Sequence, residues 1–256
     1  MKKFIRWAVI VLGSLLALLL IAGALLHQPR PESGPSPAAD ALARHMQHAI
    51  GVEAWRGVRW VNWTFRTGTR YLWDKENDLV EVQWGDHRVV LHTPTRSGIA
   101  YSDGREVTDE ATKAALLDKA WEQFANDSFW LIAPFKAFDP GTQRSVVTLG
   151  DGSKGLLVEY LRGGVTPGDA YLWLLDEDDR PRAWQMWVSI LPIGGLTFSW
   201  ENWQTFGAGV QIAQDHRGLG VNVTIRDLQL DEGIPAIAAG ENPLSAEAAR
   251  LLPVSE

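Results

Sequence analysis

The stretch Asn126–Gly141, NDSFWLIAPFKAFDPG, concentrates large apolar side chains in a chain whose neighbouring loops are polar. Phe129–Ile132 form one apolar run, and Phe135 and Phe138 follow one proline further on. A segment of this kind is stable in water only when it lies against another apolar surface. The sequence therefore predicts that residues 129–134, FWLIAP, form a plug over an apolar surface elsewhere in the fold.

A helix is predicted immediately before this plug, over Thr108–Ala125. Thr108 or Asp109 is suited to cap its N-terminus, and an apolar stripe at helical spacing consists of Ala114, Leu117, Trp121 and Phe124. Because the stripe needs an apolar partner, we expect the helix and the plug to form one lid. A shorter helix is predicted at Ala38–Ile50, ending at Gly51.

Most of the remaining chain alternates apolar and polar residues with a period of two, which is typical of strands. The runs are Val58–Phe65, Leu79–Trp84, Arg88–His92, Leu156–Leu161, Asp169–Leu175, Ala183–Leu191, Leu196–Trp203, Gly209–Gln214 and Gly220–Leu230. Turn sequences such as Asp103-Gly104 separate them. About ten or eleven short strands with hairpin-sized loops predict one antiparallel meander that curls on itself.

Several predicted strands carry large apolar side chains on both faces: Trp60 lies opposite Trp63 on one strand, and Trp184 lies opposite Trp187 on another. A sheet with one solvated face shows cleaner alternation. One interpretation is a two-layer domain whose outer face is covered by helices and loops. The other is a mainly β (α+β) fold with a single curved antiparallel sheet. In that fold, about eleven strands form an incomplete barrel, capped by helices, around an apolar cavity.

The N-terminus predicts export. Lys2, Lys3 and Arg6 precede Trp7–Leu26, an uncharged run that would span roughly 30 Å as a helix, the thickness of a bilayer core. Residues 1–26 are predicted to be a transmembrane anchor or, since Ala-Gly-Ala at 22–24 matches a cleavage pattern, a signal peptide. The basic flank indicates an inner-membrane protein with one span, whose C-terminal domain lies in the periplasm or outside the cell. Cleavage would instead leave a soluble periplasmic protein.

Three further segments follow this N-terminal region. Residues 27–37, rich in Pro, Ser and Gly, are predicted to be a flexible tether. Residues 38–232 form the main domain, and residues 233–256 form a tail with a short helix that Ser245 caps.

Composition and charge exclude several classes of function. The chain has 256 residues, 46% of them apolar, with thirteen Trp and no Cys, so it offers no disulfide, catalytic thiol or lipid-acceptor cysteine. Residues 41–256 hold 20 basic and 29 acidic side chains, a net charge of −9. Nucleic acid and anionic bilayer surfaces attract basic patches, so neither is expected as a partner.

The order of a strand, Ser102-Asp103-Gly104, an amphipathic helix and Phe129–Ala133 resembles the central part of the periplasmic lipoprotein carriers of the LolA and LolB family. The rest of residues 38–232 matches only by strand pattern. The resemblance implies an open barrel whose concave face and helical lid hold acyl chains. The family's arginine lies in an Arg-Pro pattern before a Trp; here Arg70 precedes Trp73 without a following proline, and the family receptor's lipidated cysteine is missing.

The predicted function is therefore non-enzymatic binding of a lipid or a lipoprotein acyl chain inside the open barrel, without a cofactor or a metal. The cavity and lid are predicted to consist of Trp63, Phe65, Arg70, Trp73, Leu117, Trp121, Phe124, Phe129, Trp130, Leu131, Trp184 and Met186. One alternative is an envelope sensing or protein-interaction module with a filled barrel. A second is a hydrolase of envelope polymers that uses the carboxylates of Asp74 and Glu76.

Other motifs favour structural roles. Residues 150–155, GDGSKG, fit a Gly-rich phosphate loop but lie between two strands, which indicates a hairpin turn. His45 and His48 lie three residues apart on the first helix without a third ligand at suitable spacing. Residues 176–179, DEDD, lack the glycine and the final glutamate of a calcium loop, so a charged hairpin tip is predicted.

Overall fold

The computed structural model describes residues 7, 12–14, 23–32, 34–162 and 166–253. The chain is mostly β, with 37% strand and 29% helix. Five α-helices have both ends in the described residues: α1 (Pro37–Ala49), α2 (Val52–Gly57), α3 (Glu110–Ile132), α4 (Pro235–Ala238) and α5 (Ser245–Leu251). Residues 23–26 are also helical, and two short 3-10 helices lie at Ala133–Lys136 and Asp231–Gly233.

Seven antiparallel strands form the largest sheet, in the order β15-β1-β2-β3-β4-β5-β6. Its strands are β1 (Trp60–Thr64), β2 (Arg70–Asp74), β3 (Leu79–Trp84), β4 (His87–His92), β5 (Ser97–Ser102), β6 (Arg105–Glu106) and β15 (Arg226–Leu230). Consecutive hairpins place β1 to β6 side by side, so this part of the chain is the meander that the sequence predicts.

Two smaller antiparallel sheets contain the remaining strands. The five-stranded sheet has the order β11-β10-β9-β8-β7, with β7 (Thr142–Thr148), β8 (Lys154–Tyr160), β9 (Ala170–Leu175), β10 (Pro181–Trp187) and β11 (Leu196–Ser199). The three-stranded sheet has the order β12-β13-β14, with β12 (Glu201–Phe206), β13 (Val210–Gly218) and β14 (Val221–Thr224).

The expected incomplete barrel of about eleven strands in a single curved sheet is wrong, because the described residues form fifteen strands in three sheets, and none of these sheets closes into a barrel. The divisions fall at single residues: Trp200 separates β11 from β12, and Ile225 separates β14 from β15. Two residues beyond each break, Asn202 and Asp227 adopt a φ of 54°. Asn and Asp tolerate this left-handed conformation, which turns a strand toward a different neighbour.

Helix α3 is longer than predicted. The Asp109 carboxylate caps it by accepting from Thr112 N at 2.9 Å, and it continues through Phe129–Ile132. The predicted end at Ala125, followed by a separate plug, is therefore wrong. The polar residues after Ala125 do not end the helix, because the Asp127 side chain is bound by another element instead of competing for the helix backbone.

The tail packs on the face of the seven-stranded sheet that lies away from α3. Ile234 and Leu244 are buried against Trp60, Leu79 and Val90. Polar links at the edge of this contact also fix α5, since Arg88 and Tyr101 donate to the Glu247 carboxylate at 2.7 and 3.2 Å. The tail is thus part of the packed domain.

The predicted N-terminal membrane segment, Trp7–Leu26, lies mainly outside the described residues. Within the part of the chain that the structure describes, no helix combines the length and the apolar character needed to cross a bilayer.

We expect Gly98→Ala to destabilise the domain, because Gly98 lies where β5 approaches both β4 and α3. A Cβ at this position would lie 2.6 Å from Leu117 Cδ2 and closer still to the Val90 carbonyl oxygen. Overpacking of this kind costs roughly 1–3 kcal/mol, which urea unfolding followed by circular dichroism would measure. Gly57→Ala is the control, since a Cβ there meets no atom within 4 Å; equal unfolding curves for the two variants would contradict this account.

Candidate functional site

The space between the sheets is filled by one face of α3. Near the middle of the helix, the Phe124 ring lies 6.3 Å from Trp63, 6.3 Å from Tyr71 and 5.3 Å from Trp73, measured between centroids. All three partners belong to the seven-stranded sheet. Ala120, which is fully buried, lies one turn before Phe124 on the same face.

The last turn of α3 contacts the other two sheets. Phe129 lies 4.8 Å from Tyr171 and 5.8 Å from Trp184 of the five-stranded sheet. Trp130 lies 5.0 Å from Trp184 and 5.5 Å from His216, which belongs to the three-stranded sheet. The helix therefore joins all three sheets through aromatic contacts.

Eleven of the twelve residues predicted to bind a ligand lie in this single cluster. They are Trp63, Phe65, Trp73, Leu117, Trp121, Phe124, Phe129, Trp130, Leu131, Trp184 and Met186. Their role in ligand binding stays a prediction, because in this structure the α3 side chains occupy the space assigned to the ligand. Leu131 and Trp184, for example, are each only 1% exposed.

Arg70 lies apart from the other eleven. Its side chain is on the outer surface of β2, where the guanidinium donates to Gln83 Oε1 at 2.8 Å. The neighbouring Tyr71 points inward instead, because successive side chains of a strand point to opposite faces. Tyr71, which sequence reasoning missed, thus joins Trp73 in linking β2 to the lid.

The Tyr71 hydroxyl donates to Asp127 Oδ2 of α3 at 2.6 Å, and Asn126 Nδ2 donates to Asp127 Oδ1 at 2.8 Å. Tyr71 is 1% exposed and Asp127 5%. Burial raises the pKa of Asp127 to about 6, and the hydrogen bonds from Tyr71 and Asn126 oppose that rise. Burial and the nearby carboxylate also raise the pKa of Tyr71, so its hydroxyl stays protonated. An ionisable group therefore holds α3 against the seven-stranded sheet.

Several polar atoms of the interior have no hydrogen-bond partner among the described residues. They are the indole nitrogens of Trp63, Trp73, Trp121, Trp173, Trp184 and Trp200, together with His87 Nδ1, His216 Nε2, Gln123 Oε1, Ser145 Oγ and the Tyr160 hydroxyl. Buried indole N–H groups usually find an acceptor. The interior therefore combines apolar ring faces with several indole N–H groups that have no acceptor.

His216 lies within this cluster, with its ring 4.3 Å from that of Trp200. Its Nδ1 lies 3.3 Å from the carbonyl oxygen of Ser199, which favours the tautomer with the proton on Nδ1. Burial lowers the pKa of His216 to about 4, so the imidazole is neutral near pH 7 and its Nε2 is an acceptor. Sequence reasoning missed the burial of this histidine among aromatic rings.

Two surface clefts lie in the described part of the chain, and the second is bordered by Trp55 and Phe135 of the same cluster. One, of about 640 Å³, is lined by Asp40 and Arg144, whose side chains pair at 2.6 Å. The other, of about 400 Å³, contains Lys75, whose ammonium donates to Trp55 O at 2.7 Å and lies 3.8 Å from the Trp55 ring centroid. Burial lowers the pKa of Lys75 to about 8, and Asp231 opposes this change.

The carboxylates considered for a hydrolase are engaged in a turn. Asp74 is 1% exposed, pairs with Arg59 at 3.3 Å and accepts from Glu76 N at 3.1 Å. Glu76 also pairs with Arg59, at 2.5 Å. Among the described residues, no group of three or more His, Asp or Glu side chains is placed to hold a metal ion.

We expect the contribution of Asp127 to stability to grow as the pH falls. Its native pKa of about 6 lies above the ordinary value of 3.8, so the folded chain binds this proton more tightly than the unfolded chain. The contribution is complete below pH 3.8 and is lost as the pH rises through 6, a change of roughly 3 kcal/mol. Unfolding of wild type and Asp127→Asn at pH 4.5 and 7.5 should show wild type losing stability relative to the variant at the higher pH.

Asp118→Asn is the matched control, because Asp118 lies on the exposed face of the same helix. The prediction is contradicted if the stability difference between wild type and Asp127→Asn is the same at both pH values, because burial would then not raise the pKa of Asp127.

No protein-family model matches this chain, and no curated protein sequence matches it. The resemblance to the lipoprotein carriers therefore stays a prediction.

Proposed function

We propose that the protein binds an acyl chain of a lipid or lipoprotein between α3 and the three sheets, exchanging the ligand for the aromatic side chains of α3. One observation carries the proposal: a single helix closes an aromatic interior whose buried indole donors lack acceptors. An interior designed only for stability leaves few such groups.

The free energies of this exchange are of similar size. Moving Phe124, Phe129, Trp130 and Leu131 from the interior into water costs about 1.5–3 kcal/mol each, or roughly 6–12 kcal/mol together. Burying a chain of about fourteen methylenes contributes at most about 11 kcal/mol. Burial of the acyl chain therefore offsets the free energy lost when the α3 side chains leave the interior, so the mechanism needs no pre-formed cavity.

The chemistry of the interior also favours a particular ligand. The unpaired groups are mainly N–H donors, so they suit the carbonyl or carboxylate oxygens at the head of an acyl chain. Trp173, Trp184 and Trp200 lie within 5.1 Å of one another between ring centroids, so three of these unpaired donors belong to one group of touching rings. A purely hydrocarbon ligand would leave them unpaired.

The location proposed for this binding is the cell envelope. The basic residues before Trp7–Leu26 favour an inner-membrane anchor with the domain outside the cytoplasm, or a soluble periplasmic form after cleavage. An anchored domain would take up its ligand over a short distance. The exposed Arg70 and the missing lipidated cysteine distinguish it from the carriers that it resembles.

A second candidate is a non-enzymatic sensing or protein-interaction module. The tight packing of α3 against the sheets favours it, because in such a module the filled interior is the only state. The two functions differ in whether a fatty acid enters the aromatic cluster.

Quenching of Trp fluorescence by a brominated fatty acid tests this difference. The full chain carrying Trp7→Phe, reconstituted in phosphatidylcholine nanodiscs, keeps twelve tryptophans, all at or beyond Trp55. Bromine quenches on contact, so entry into the interior should quench most of the emission in a saturable way. Binding without entry should quench little.

Phe129→Ala should lower the apparent Kd for the fatty acid by about tenfold or more, because a less stable closed state leaves more of the protein competent to bind. Leu172→Ala is the control, since Leu172 is buried on the opposite face of β9, away from α3; its Kd should not change. Unquenched emission in wild type and in Phe129→Ala would favour the interaction module.

A further inference from the structure

One end of the domain, which we call the apolar end, is formed by three neighbouring loops, of which the structure describes residues 161–162, 166–169, 188–195 and 219–220. Pairing of Ala170 with Trp187 places the first two loops together. The third lies beside them, because a Cβ on Gly218 would lie 2.8 Å from the Phe198 ring of β11.

Large apolar side chains are exposed on these loops. Ile190 is 70% exposed, Leu219 58% and Leu161 51%, and Leu191 is more than one-third exposed, as is Val221 at the adjoining start of β14. Exposed apolar residues that occur singly need no explanation, but a patch contributed by three loops marks an interaction surface.

Charge distinguishes this end from the opposite end of the five-stranded sheet. Opposite, the loops at 149–153 and 176–180 contain Asp151 and the run DEDD. In the three loops of the apolar end the only carboxylate in the sequence is Asp169, which is 5% exposed and accepts from Ser189 N at 2.8 Å. The acidic excess of the chain is therefore absent from the surface of these loops.

The segment that follows the uncharged N-terminal run is bound to this same end. Gln28 N donates to Gly194 O at 3.0 Å, and Trp187 Nε1 donates to Gln28 O at 2.7 Å. His27 Nδ1 accepts from Gly194 N at 3.0 Å. The loop is shaped for this contact, because a Cβ on Gly195 would lie 2.5 Å from Gln28 Cβ.

Just before this contact, Leu25 and Leu26 are 81% and 52% exposed. They are the last residues of Trp7–Leu26, a run long enough to span a bilayer core. If that run lies in a membrane, the two residues that follow it, His27 and Gln28, are the ones that bind the loop of Ile190.

We propose that the apolar end lies in the interfacial region of a lipid bilayer, with Ile190, Leu191 and Leu219 inserted among the lipids. Insertion removes their apolar surface from water, and no exposed carboxylate of these loops has to enter the headgroup layer. The exposed Arg162 of the first loop is suited to a lipid phosphate. The contact fixes the orientation of the domain on the membrane, whatever ligand the interior binds.

Because the chain has no Cys, single cysteines introduced for spin labels report without interference. The experiment uses the full chain in phosphatidylcholine vesicles, labelled at Ile190→Cys, Leu191→Cys or Leu219→Cys, with Asp178→Cys at the opposite end as the control. Circular dichroism verifies that each variant folds. Collision rates are measured with a water-soluble nickel reagent present on both sides of the bilayer, and with lipid-soluble oxygen.

Labels at positions 190, 191 and 219 should collide several-fold less with the nickel reagent and more with oxygen than the label at position 178. Equal accessibility at both ends would overturn the proposal. So would shielding accompanied by spin–spin broadening that disappears when the protein is diluted with lipid, because a second copy of the chain would then cover the loops. The fatty-acid quenching described above is independent of either result.

Discussion

The structure depends on the burial of one aromatic face of α3 against three separate sheets. Phe124 reaches the seven-stranded sheet, while Phe129 and Trp130 reach the other two. Each sheet has a large apolar face that it cannot cover by itself. Because the strands change from one sheet to another after Trp200 and Ile225, the side chains of α3 supply much of the attraction that holds the sheets around a common core.

Much of this arrangement could be predicted from sequence periodicity. Period-two runs located most strands, and the apolar stripe of α3 together with FWLIAP indicated a covering element. The cluster of eleven residues followed from the same patterns. The division into three sheets could not be predicted, because it depends on left-handed conformations at Asn202 and Asp227, and both Asn and Asp also occur in ordinary strands and turns.

The site contains polar features that no linear pattern predicts. Asp127 reads as a helix-ending residue after Asn126, yet it lies inside α3 because Tyr71, 56 positions earlier, donates to it. His216 likewise appears isolated in the sequence and is surrounded by Trp130 and Trp200 in space. Both depend on contacts between distant parts of the chain, which a single sequence does not reveal. Their burial makes the interior chemically more specific than a hydrocarbon core.

The two interrupted strands have a consequence for how the domain unfolds. The chain from Leu196 to Phe206 borders two sheets in succession, and so does the chain from Val221 to Leu230. Loss of the three-stranded sheet would therefore release one end of the edge strand of each larger sheet at once, β11 in one and β15 in the other. We infer that the sheets melt as one cooperative unit, and that slow amide exchange extends across both interruptions.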